Sequence, residues 1–346
     1  MNVVIRTDAS YEIGFGHVMR CLTLAESLRN LGVTVSFVIK KQLYDLKDHI
    51  ENSGFDVYRL TRAVEGCPFD YEEDAIETIN VISNCKVDLL IVDHYMIDIK
   101  WQSILRFYIH KIMVIDDLAN RKHDCDFILD QNYISDINRY DSLTPSHSIK
   151  FLGGEFALLR KEFSQCRSSL YIRKINKVNN VLIQFGGSDP QNLTLLSLQS
   201  LINNGFHINV VVGSAYMYLD DIQSLVNSDK NTMLYVQPNN IAKQMLVADI
   251  TIGAGGISTW ERMCVGLPSI VITTAENQIS FNNELHRDGY INLIGASSNI
   301  KKRHIYESFK SLIDNTELLY KQSKKCLGLI DGLGSDKIAK ILIDIV

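Results

Sequence analysis

The sequence predicts an α/β protein with two Rossmann-like domains, each built around a parallel sheet, that face a central cleft. Short apolar runs rich in β-branched residues alternate along the chain with longer segments of helical period. This pattern starts twice, and in each half a strand is followed by glycines and then by a helix. The length of 346 residues is that of about two ordinary domains.

The first half is predicted to be a Rossmann-like domain over residues 1–165. Continuous apolar runs predict strands at residues 3–6, 33–39, 87–92, 112–115 and 127–129. Apolar residues at helical spacing from Val18 to Leu31 predict the first helix, and Gly32 is suited to end it. Because apolar strands alternate with helices, the sheet should be parallel and covered on both faces.

The second half repeats the pattern and is predicted to be a second Rossmann-like domain over residues 178–330. Strands are predicted at 181–185, 208–212, 233–236, 250–252 and 269–273. Helices are predicted at 191–202, 241–247, 257–265 and 277–286. A polar, basic stretch at 164–177 is the predicted linker. Residues 331–346 are predicted to form a helix that packs back on the first domain. Open parallel sheets bind ligands at the carboxyl ends of their strands, so a ligand cleft is expected there.

Composition and charge exclude several classes of protein. Hydrophobic residues make up 46% of the chain and charged residues 22%, values of a globular protein rather than of a disordered chain or a rod. The net charge of −5 argues against a nucleic-acid-binding surface. The apolar runs are strand-sized and the N-terminus lacks a signal-peptide core, so we expect a soluble, cytoplasmic protein without membrane insertion. No long exposed apolar stripe is evident, and a monomer is expected.

The seven cysteines stand singly, without a C-x-x-C pair. An odd number at irregular spacing fits free thiols in a reducing compartment better than a disulfide framework. The cysteines also lack the spacing of a zinc site. We therefore expect no structural metal. No cofactor is expected for this chain either.

A first glycine loop, Gly14-Phe15-Gly16-His17, lies between the first predicted strand and helix. Small residues there let a ligand approach the backbone, although a plain tight turn explains the loop equally well. The dinucleotide fingerprint G-x-G-x-x-G is not completed, because Met19 stands at its third glycine position. This departure disfavours a nicotinamide-dependent enzyme.

A second glycine loop, which includes Gly255 and Gly256, gives the stronger signal. Ser258 and Thr259 follow it at a predicted helix start, an arrangement that suits a diphosphate. Glu261 could accept the hydroxyl protons of a ribose, or it could simply complement the helix dipole. No Walker lysine follows the glycines, so ATP hydrolysis of the P-loop kind is not supported.

A third loop, Gly186-Gly187-Ser188, closes the first strand of the second half. It could face the same ligand from the other side of the cleft. A plain strand-to-helix turn explains it almost as well, and Pro190 is suited to start the following helix.

His17 is the leading candidate for a general base, because it lies on a glycine loop at a predicted helix start. That position disfavours the imidazolium and so keeps the ring able to accept a proton. Asp8 could orient the ring or the water that it activates, and Arg20 lies one turn along the same helix. The alternative is that His17 only donates to a backbone carbonyl group.

Two other strand ends carry candidate groups. His94 competes as the base, since Asp93-His94-Tyr95 follows a buried strand. Asp116 and Asp117 follow the strand at 112–115 and could bind a metal or share a proton. Such a pair is more commonly explained by a cap and a turn. We favour this structural explanation for at least one of the two aspartates.

Taken together, these motifs resemble one family. Residues 6–8 and 13–20 are similar to the opening motif of the UDP-2,4-diacetamido-2,4,6-trideoxy-β-L-altropyranose hydrolases of pseudaminic acid biosynthesis. Further segments that look like motifs of this family lie at 91–95, 115–117, 185–190, 253–256, 275–278 and 331–334. The stretch 253–268 is also similar to the nucleotide site of the peptidoglycan N-acetylglucosaminyltransferase, which shares the GT-B fold.

The resemblance implies a GT-B fold and a UDP-sugar substrate whose nucleotide is held mainly by the second domain. It implies that Glu261 contacts the ribose and that Ser258 and Thr259 lie near the phosphates. His17 would activate water for attack at the anomeric carbon, with inversion, C–O cleavage and no divalent metal.

Several further residues match positions of the family near the substrate. Tyr95 and Asn277 match positions near the sugar, and Gln278 lies in the same motif as Asn277. Phe15 departs from the smaller or hydroxyl residue that is expected between the loop glycines.

Two other functions stay open. A GT-B glycosyltransferase would pass the sugar of a UDP-sugar to an acceptor rather than to water. A UDP-sugar-binding protein without catalytic activity is disfavoured, because Asp8, His17 and Tyr95 are present together.

Overall fold

The computed structural model of the chain describes residues 1–10, 14–42, 45–61, 69–169, 173 and 175–346. These residues form two units. The first comprises Met1–Leu159 and Leu333–Val346, and the second comprises Arg160–Gly332. Each unit contains a parallel sheet with helices between its strands, as the alternation of apolar runs and helical segments predicts.

The sheet of the first unit has seven strands: β1 (Asn2–Thr7), β2 (Thr34–Lys40), β3 (Asp56–Leu60), β4 (Leu89–Asp93), β5 (Ile112–Ile115), β6 (Phe127–Asp130) and β7 (Ile149–Leu152). Their order is β3-β2-β1-β4-β5-β6-β7, and all neighbours are parallel. The strand order reverses between β1 and β4. This is the switch point at which open α/β sheets bind ligands.

The helices between these strands are α1 (Gly16–Asn30), α2 (Lys47–Asn52), α3 (Tyr71–Ile82) and α4 (Ile99–Leu105). The apolar stripe of α1, which includes Val18 and Leu28, lies in the core with residues of β1 and β2. Asp70 starts α3, because its side chain accepts hydrogen bonds from the backbone N–H groups of Glu72 and Glu73. Burial of an apolar face and a local cap thus define these helices.

The second unit has a six-stranded sheet made of β8 (Asn180–Gln184), β9 (His207–Val212), β10 (Thr232–Val236), β11 (Ile250–Ala254), β12 (Ser269–Thr273) and β13 (Asn292–Ala296). Its order is β10-β9-β8-β11-β12-β13, so the switch point lies between β8 and β11. Its helices are α5 (Lys161–Ser168), α6 (Leu193–Leu201), α7 (Leu219–Val226), α8 (Ile241–Val247), α9 (Ser258–Cys264), α10 (Ile279–Arg287), α11 (Lys302–Ile313) and α12 (Thr316–Leu329).

The last helix, α13 (Gly334–Ile345), belongs to the first unit. It packs against α1, where the Ser27 hydroxyl donates to Asp336 at 2.8 Å. A Cβ at Gly334 would stand 2.4 Å from the carbonyl oxygen of Ala157, so the close approach of the chain requires glycine.

The first change of unit comes between Leu159 and Arg160, ahead of the predicted linker at 164–177. The reason is that α5 packs against α8 and α9 and so belongs to the second unit. Residues 170–172 and 174 of the predicted linker lie outside the described residues.

Each predicted strand is present, with small shifts at its ends. The strands that the sequence does not predict are β3, β7 and β13, each at the edge of its sheet. These strands are largely half-buried or exposed, so they lack the continuous apolar run of a central strand.

The helix predicted at 191–202 begins later, at Leu193. The buried Asp189 carboxylate accepts hydrogen bonds from the backbone N–H groups of Leu193 and Thr194. Pro190 therefore lies in the turn before the helix rather than at its start.

Cys21, Cys85, Cys125, Cys166, Cys264 and Cys326 are free thiols, and Cys67 lies outside the described residues. Among the helices of the described ranges, none is long and apolar enough to span a lipid bilayer.

Candidate active site

The carboxyl edge of the first sheet gathers the candidate side chains of that unit. β1 and β4 are parallel neighbours in register, and β5 lies beside β4. Asp8, Asp93 and Asp117, which end or follow these strands, therefore come to the same edge. α1 begins shortly after β1 and carries His17 and Arg20 in its first turns.

His17 forms a short hydrogen bond with Asp93, with 2.6 Å between Nδ1 and Oδ1. The two residues are 6% and 1% exposed. Burial by itself would raise the pKa of Asp93, but the Arg20 guanidinium and the His17 ring bring this pKa well below its usual range. Asp93 is therefore ionised.

The ionised Asp93 determines which nitrogen of His17 carries the proton. We assign the proton to Nδ1, because the 2.6 Å contact with Asp93 would otherwise join two acceptors. Nη2 of Arg20 also lies 3.1 Å from Nδ1, but this nitrogen already donates to Asp93 at 2.6 Å. In the neutral form of this tautomer Nε2 keeps its lone pair, and Nε2 has no hydrogen-bond partner among the residues that the structure describes. A neutral imidazole held in this way can accept a proton from water.

Arg20 connects this pair to Tyr95 through Asp117. Its Nε and Nη2 donate to Asp93 at 2.6 Å, and its Nη1 donates to Asp117 Oδ2 at 3.1 Å. The Tyr95 hydroxyl donates to the same Asp117 oxygen at 3.1 Å. The Tyr95 ring stands edge-on to the ring of His17, with centroids 4.5 Å apart. Burial, and then the charge of Asp117, raise the pKa of Tyr95, so its phenol stays protonated.

The carboxylate that contacts the His17 ring is Asp93 and not Asp8, so the expected role of Asp8 in orienting the ring is wrong. Its alternative role, in orienting the attacking water, stays a prediction. Asp8 accepts hydrogen bonds from Arg6 at 2.6 and 3.0 Å and from the backbone N–H of Lys40 at 2.7 Å. Burial opposes ionisation, but Arg6 and then His94 lower the pKa of Asp8. Asp8 thus ties the end of β1 to the end of β2 in a buried ionic cluster.

His94, the competing candidate for the base, has both ring nitrogens engaged. Its Nδ1 accepts from the backbone N–H of Met96 at 3.1 Å, so the proton lies on Nε2. That nitrogen faces Asp8 Oδ2 at 3.2 Å. Neither nitrogen is left to take a proton from water, and the geometry therefore favours His17.

Asp116 and Asp117 have separate roles rather than acting as a pair. Asp116 is fully buried, accepts from the backbone N–H of Ala119 at 2.9 Å and pairs with Arg121 at 2.7 Å. The Tyr140 hydroxyl also donates to it at 3.0 Å. Asp116 thus stabilises the turn after β5, which agrees with the structural explanation favoured for at least one of the two aspartates. Within the described ranges, no group of three or more His, Cys, Asp or Glu side chains could hold a metal ion.

All four residues of the first glycine loop are described, whereas residues 11–13 before it, including Ile13 of the opening motif, lie outside the described residues. Gly14 has a φ of +82°, a conformation that favours glycine. Its N–H donates to the carbonyl oxygen of Ser10 at 2.8 Å. Gly16 begins α1 directly before His17. The loop therefore has the geometry of a tight turn that presents His17.

In the second unit, the end of β11 and the loop after it are closely packed: Gly253 has no room for a side chain, and a side chain at Gly255 would displace Asn282. A Cβ at Gly255 would stand 2.0 Å from Nδ2 of Asn282, and one at Gly253 would stand 2.4 Å from the carbonyl oxygen of Gln184. A Cβ at Gly256 would lie 3.3 Å from Nε2 of Gln278. This loop is thus a main-chain surface backed by amide side chains, among them the predicted site residue Gln278.

Ser258 and Thr259 differ in exposure. Ser258 is half-buried, whereas Thr259 is fully buried and its Oγ1 accepts a hydrogen bond from Arg262. A ligand on the surface of the loop can reach Ser258. Because Thr259 is fully buried, its side chain is not exposed for the expected contact with a phosphate.

The remaining predicted residues of this unit lie around the loop. Glu261 is paired with Arg160 at 3.1 Å, and its carboxylate is partly exposed. Asn277 is exposed in a 3-10 turn that runs over Glu276–Gln278. Gln278 is fixed because its Oε1 accepts from the backbone N–H of Thr274 at 3.0 Å.

The backbone conformation and close packing of the turn at Gly186, Gly187 and Ser188 favour glycine without any ligand. Gly186 has a φ of +88°. A Cβ at Gly213 would stand 2.2 Å from the carbonyl oxygen of Gly187, so the two segments of backbone pass in close contact. A strand-to-helix turn is sufficient to explain these glycines, and contact with a ligand stays a prediction.

Sequence reasoning named Asp93 among the strand-end candidates but not as the partner of His17, and it missed Arg6, Arg262 and Asn282. A signal for Asp93 was its position, because it follows a continuous apolar strand. Arg262 and Asn282 lie inside helices whose sequences do not reveal which side chains turn toward the loop.

Comparison with known proteins adds relatives of named function. No family model matches the chain. An uncharacterized protein of Methanocaldococcus jannaschii is 29% identical over 328 residues, which cover 92% of this chain and 63% of that protein. A UDP-2,4-diacetamido-2,4,6-trideoxy-β-L-altropyranose hydrolase of Campylobacter jejuni is 29% identical over 291 residues, 84% of this chain and 98% of that protein.

A third relative, from Helicobacter pylori, is named both as a pseudaminic acid cytidylyltransferase and as the same hydrolase. It is 24% identical over 294 residues, which cover 84% of this chain and 47% of that protein. The chain therefore spans less than two thirds of the length of the Methanocaldococcus and Helicobacter relatives. The resemblance to the hydrolases of pseudaminic acid biosynthesis is confirmed over most of this chain.

The similar solved structures show the fold. MurG of Acinetobacter baumannii has a TM-score of 0.71 and 14% identity, with 99% of each chain covered. MnaA of S. aureus, in a co-structure with UDP, has a TM-score of 0.68 and 13% identity, with 100% of this chain and 97% of that chain covered. The two parallel sheets and these neighbours make this a GT-B fold.

Proposed function

We propose that this relative of the pseudaminic acid hydrolases is itself a UDP-sugar hydrolase. Its substrate would be UDP-2,4-diacetamido-2,4,6-trideoxy-β-L-altropyranose, and its products UDP and 2,4-diacetamido-2,4,6-trideoxy-L-altrose. The observation that carries the proposal is the His17–Asp93 pair, in which a carboxylate holds the proton on Nδ1 and leaves Nε2 as a base. The Campylobacter relative, which the chain matches over 98% of its length, supports the substrate.

In this mechanism His17 Nε2 takes a proton from water as the water oxygen attacks the anomeric carbon. The bond between that carbon and the diphosphate oxygen breaks, and UDP leaves with the electron pair. Attack on the face opposite the leaving group inverts the anomeric configuration. Asp93 stabilises the imidazolium that forms, and Arg20 holds Asp93 in place.

Tyr95 and Asp117 position the base and the sugar. The Tyr95 ring packs edge-on against His17, which limits the rotation of the imidazole. Its hydroxyl is fixed by Asp117, which is itself held by Arg20. The second unit binds the nucleotide, with the 253–256 loop and Ser258 at the diphosphate and Glu261 at the ribose. Hydrogen-bond donors at this loop stabilise the departing diphosphate.

The test is an assay of the purified protein with the UDP-trideoxysugar in heavy-oxygen water, with EDTA and without an acceptor. We expect release of UDP, with the heavy oxygen in the sugar and none in UDP, because the bond to the anomeric carbon breaks. Heavy oxygen in UDP would instead mean attack at phosphorus and would contradict the mechanism. Strict dependence on an added acceptor would support a GT-B glycosyltransferase, the alternative that the fold also fits.

Replacing Glu261 by Ala should weaken UDP binding by about 10- to 100-fold, as expected for the loss of hydrogen bonds to a charged group. Turnover at saturating substrate should change little. Calorimetric titration with UDP and steady-state kinetics measure the two effects. Glu162→Ala is the matched control, because Glu162 also pairs with Arg160 but is not a predicted ligand contact. Lower turnover with unchanged affinity would place Glu261 at the reacting centre instead.

A further inference from the structure

Arg262 is a buried cation near the glycine loop of the second unit. It lies on α9 and is 0% exposed. Its neighbour Glu261 pairs with Arg160 instead, and among the described residues no carboxylate forms an ion pair with Arg262. Burial lowers the pKa of Arg262 to about 10, although the charge of Glu261 acts in the opposite direction, and the guanidinium stays charged at neutral pH. A buried charge without a directly bonded carboxylate is costly.

The hydrogen bonds of Arg262 go to one segment of chain, residues 254–259. Nη2 donates to the carbonyl oxygen of Ala254 at 2.7 Å and to Thr259 Oγ1 at 3.0 Å, and Nη1 donates to Ser258 Oγ at 3.0 Å. Nε has no hydrogen-bond partner in the described structure. All three acceptors are neutral, so they fix the guanidinium without neutralising its charge.

The contact with Ser258 has a chemical consequence. Because the hydroxyl oxygen already accepts a hydrogen bond from Arg262, its own proton is free to be donated in another direction. Ser258 is half-buried and so reachable from solvent. Because the Arg262 cation polarises it, the Ser258 hydroxyl should donate preferentially to an anionic acceptor. Hydrogen bonds to an ionised group are stronger than those between neutral groups.

We propose that Arg262 is a positioning residue for a diphosphate: it fixes Ser258 as a donor to the phosphate oxygens, and its charge offsets theirs. The proposal rests on the proposed function and extends it, because it names the group that compensates the charge of the nucleotide. The same geometry predicts affinity for inorganic pyrophosphate, whatever reaction the protein catalyses.

The test compares the wild type with Arg262→Met and Arg262→Lys by calorimetric titration with UDP, inorganic pyrophosphate and uridine. We expect Arg262→Met to weaken UDP and pyrophosphate by about 10- to 100-fold, as for lost bonds to a charged group. Uridine affinity should stay the same, because uridine carries no phosphate. Arg262→Lys keeps the charge but not the forked donor, so its loss should be smaller.

Arg173→Met is the matched control. Arg173 is a second buried arginine of the same unit, with its pKa also lowered to about 10 by burial. Its guanidinium donates to the carbonyl oxygens of Ala248, Met245 and Val265, and within the described ranges it forms no hydrogen bond with the loop. Its replacement should lower the melting temperature and leave the affinity for UDP unchanged.

Ser258→Ala and its combination with Arg262→Lys give a second measurement that does not depend on the folding of Arg262→Met. If Arg262 acts through Ser258, the combined loss of UDP affinity should be smaller than the product of the single losses. Folded Arg262 variants that bind UDP like the wild type, or that lose uridine and UDP equally, would overturn the inference. Pyrophosphate binding without hydrolysis of the UDP-sugar would overturn the proposed function alone. A wild type that binds neither UDP nor pyrophosphate would overturn both.

Discussion

Replacing His17 by Asn is expected to lower the turnover of the UDP-sugar by about 100-fold or more. The Asn amide can still donate to Asp93 in place of Nδ1, but no proton acceptor remains where Nε2 lay. The affinity for UDP should be unchanged, since the proposed nucleotide contacts lie in the second unit. Single-turnover kinetics and UDP titration measure the two quantities.

His94→Gln is the control for this prediction. The Gln amide can donate to Asp8 as Nε2 does, so the buried ionic cluster should be kept and most of the turnover with it. Near-normal turnover of His17→Asn together with a large loss in His94→Gln would move the base to His94.

The second large effect is expected for Asp93→Asn. The amide offers a single acceptor, whereas Asp93 now accepts from Arg20 on both oxygens and from His17. Where the amide N–H faces His17, Nδ1 must accept, the ring proton moves to Nε2 and the base is lost. Turnover should fall by about 100- to 10,000-fold, the range seen when a carboxylate that orients a catalytic histidine is removed.

The same substitution is expected to destabilise the first unit by about 3–5 kcal/mol, because it leaves Arg20 buried without its full charge partner. Asp74→Asn is the matched control, since Asp74 is a buried partner of Arg6 outside the proposed reacting groups. It should lower the melting temperature and spare most of the turnover. Nitrogen NMR of the His17 ring reports the change of tautomer directly. An active Asp93→Asn enzyme with its proton still on Nδ1 would refute the positioning role.

The central strands of both sheets could be predicted because their signal is local. A strand buried on both faces must be apolar at successive positions, as Leu89–Asp93 and Ile250–Ala254 largely are. The edge strands β3 and β13 escape this signal, because one side of an edge strand meets solvent or a loop. From the sequence alone, the polar residues of these edge strands are typical of connecting loops, because the neighbouring strand with which they pair is not evident.

The candidate base could also be found locally, but its partner could not. His17 stands out by its place between a glycine loop and a helix. Asp8 is nearer to His17 in the sequence than Asp93 is. Proximity along the chain therefore suggested Asp8, rather than Asp93, as the partner of the His17 ring. Asp93 lies 76 positions away from His17 and reaches it because β4 lies next to β1.

The sequence by itself determined the alternation of strands and helices, the two sheets, the glycine loops and the likeness to the UDP-sugar hydrolases. Each of these depends on residues that are close together in the chain, through periodicity, turns and short motifs. The tertiary structure alone decided that Asp93 contacts His17, that Asp8 joins Arg6 and His94, and that Arg262 donates to the segment around the second glycine loop. These contacts are made by buried charged groups. Which of these groups come together depends on strand order and helix packing rather than on their spacing along the chain.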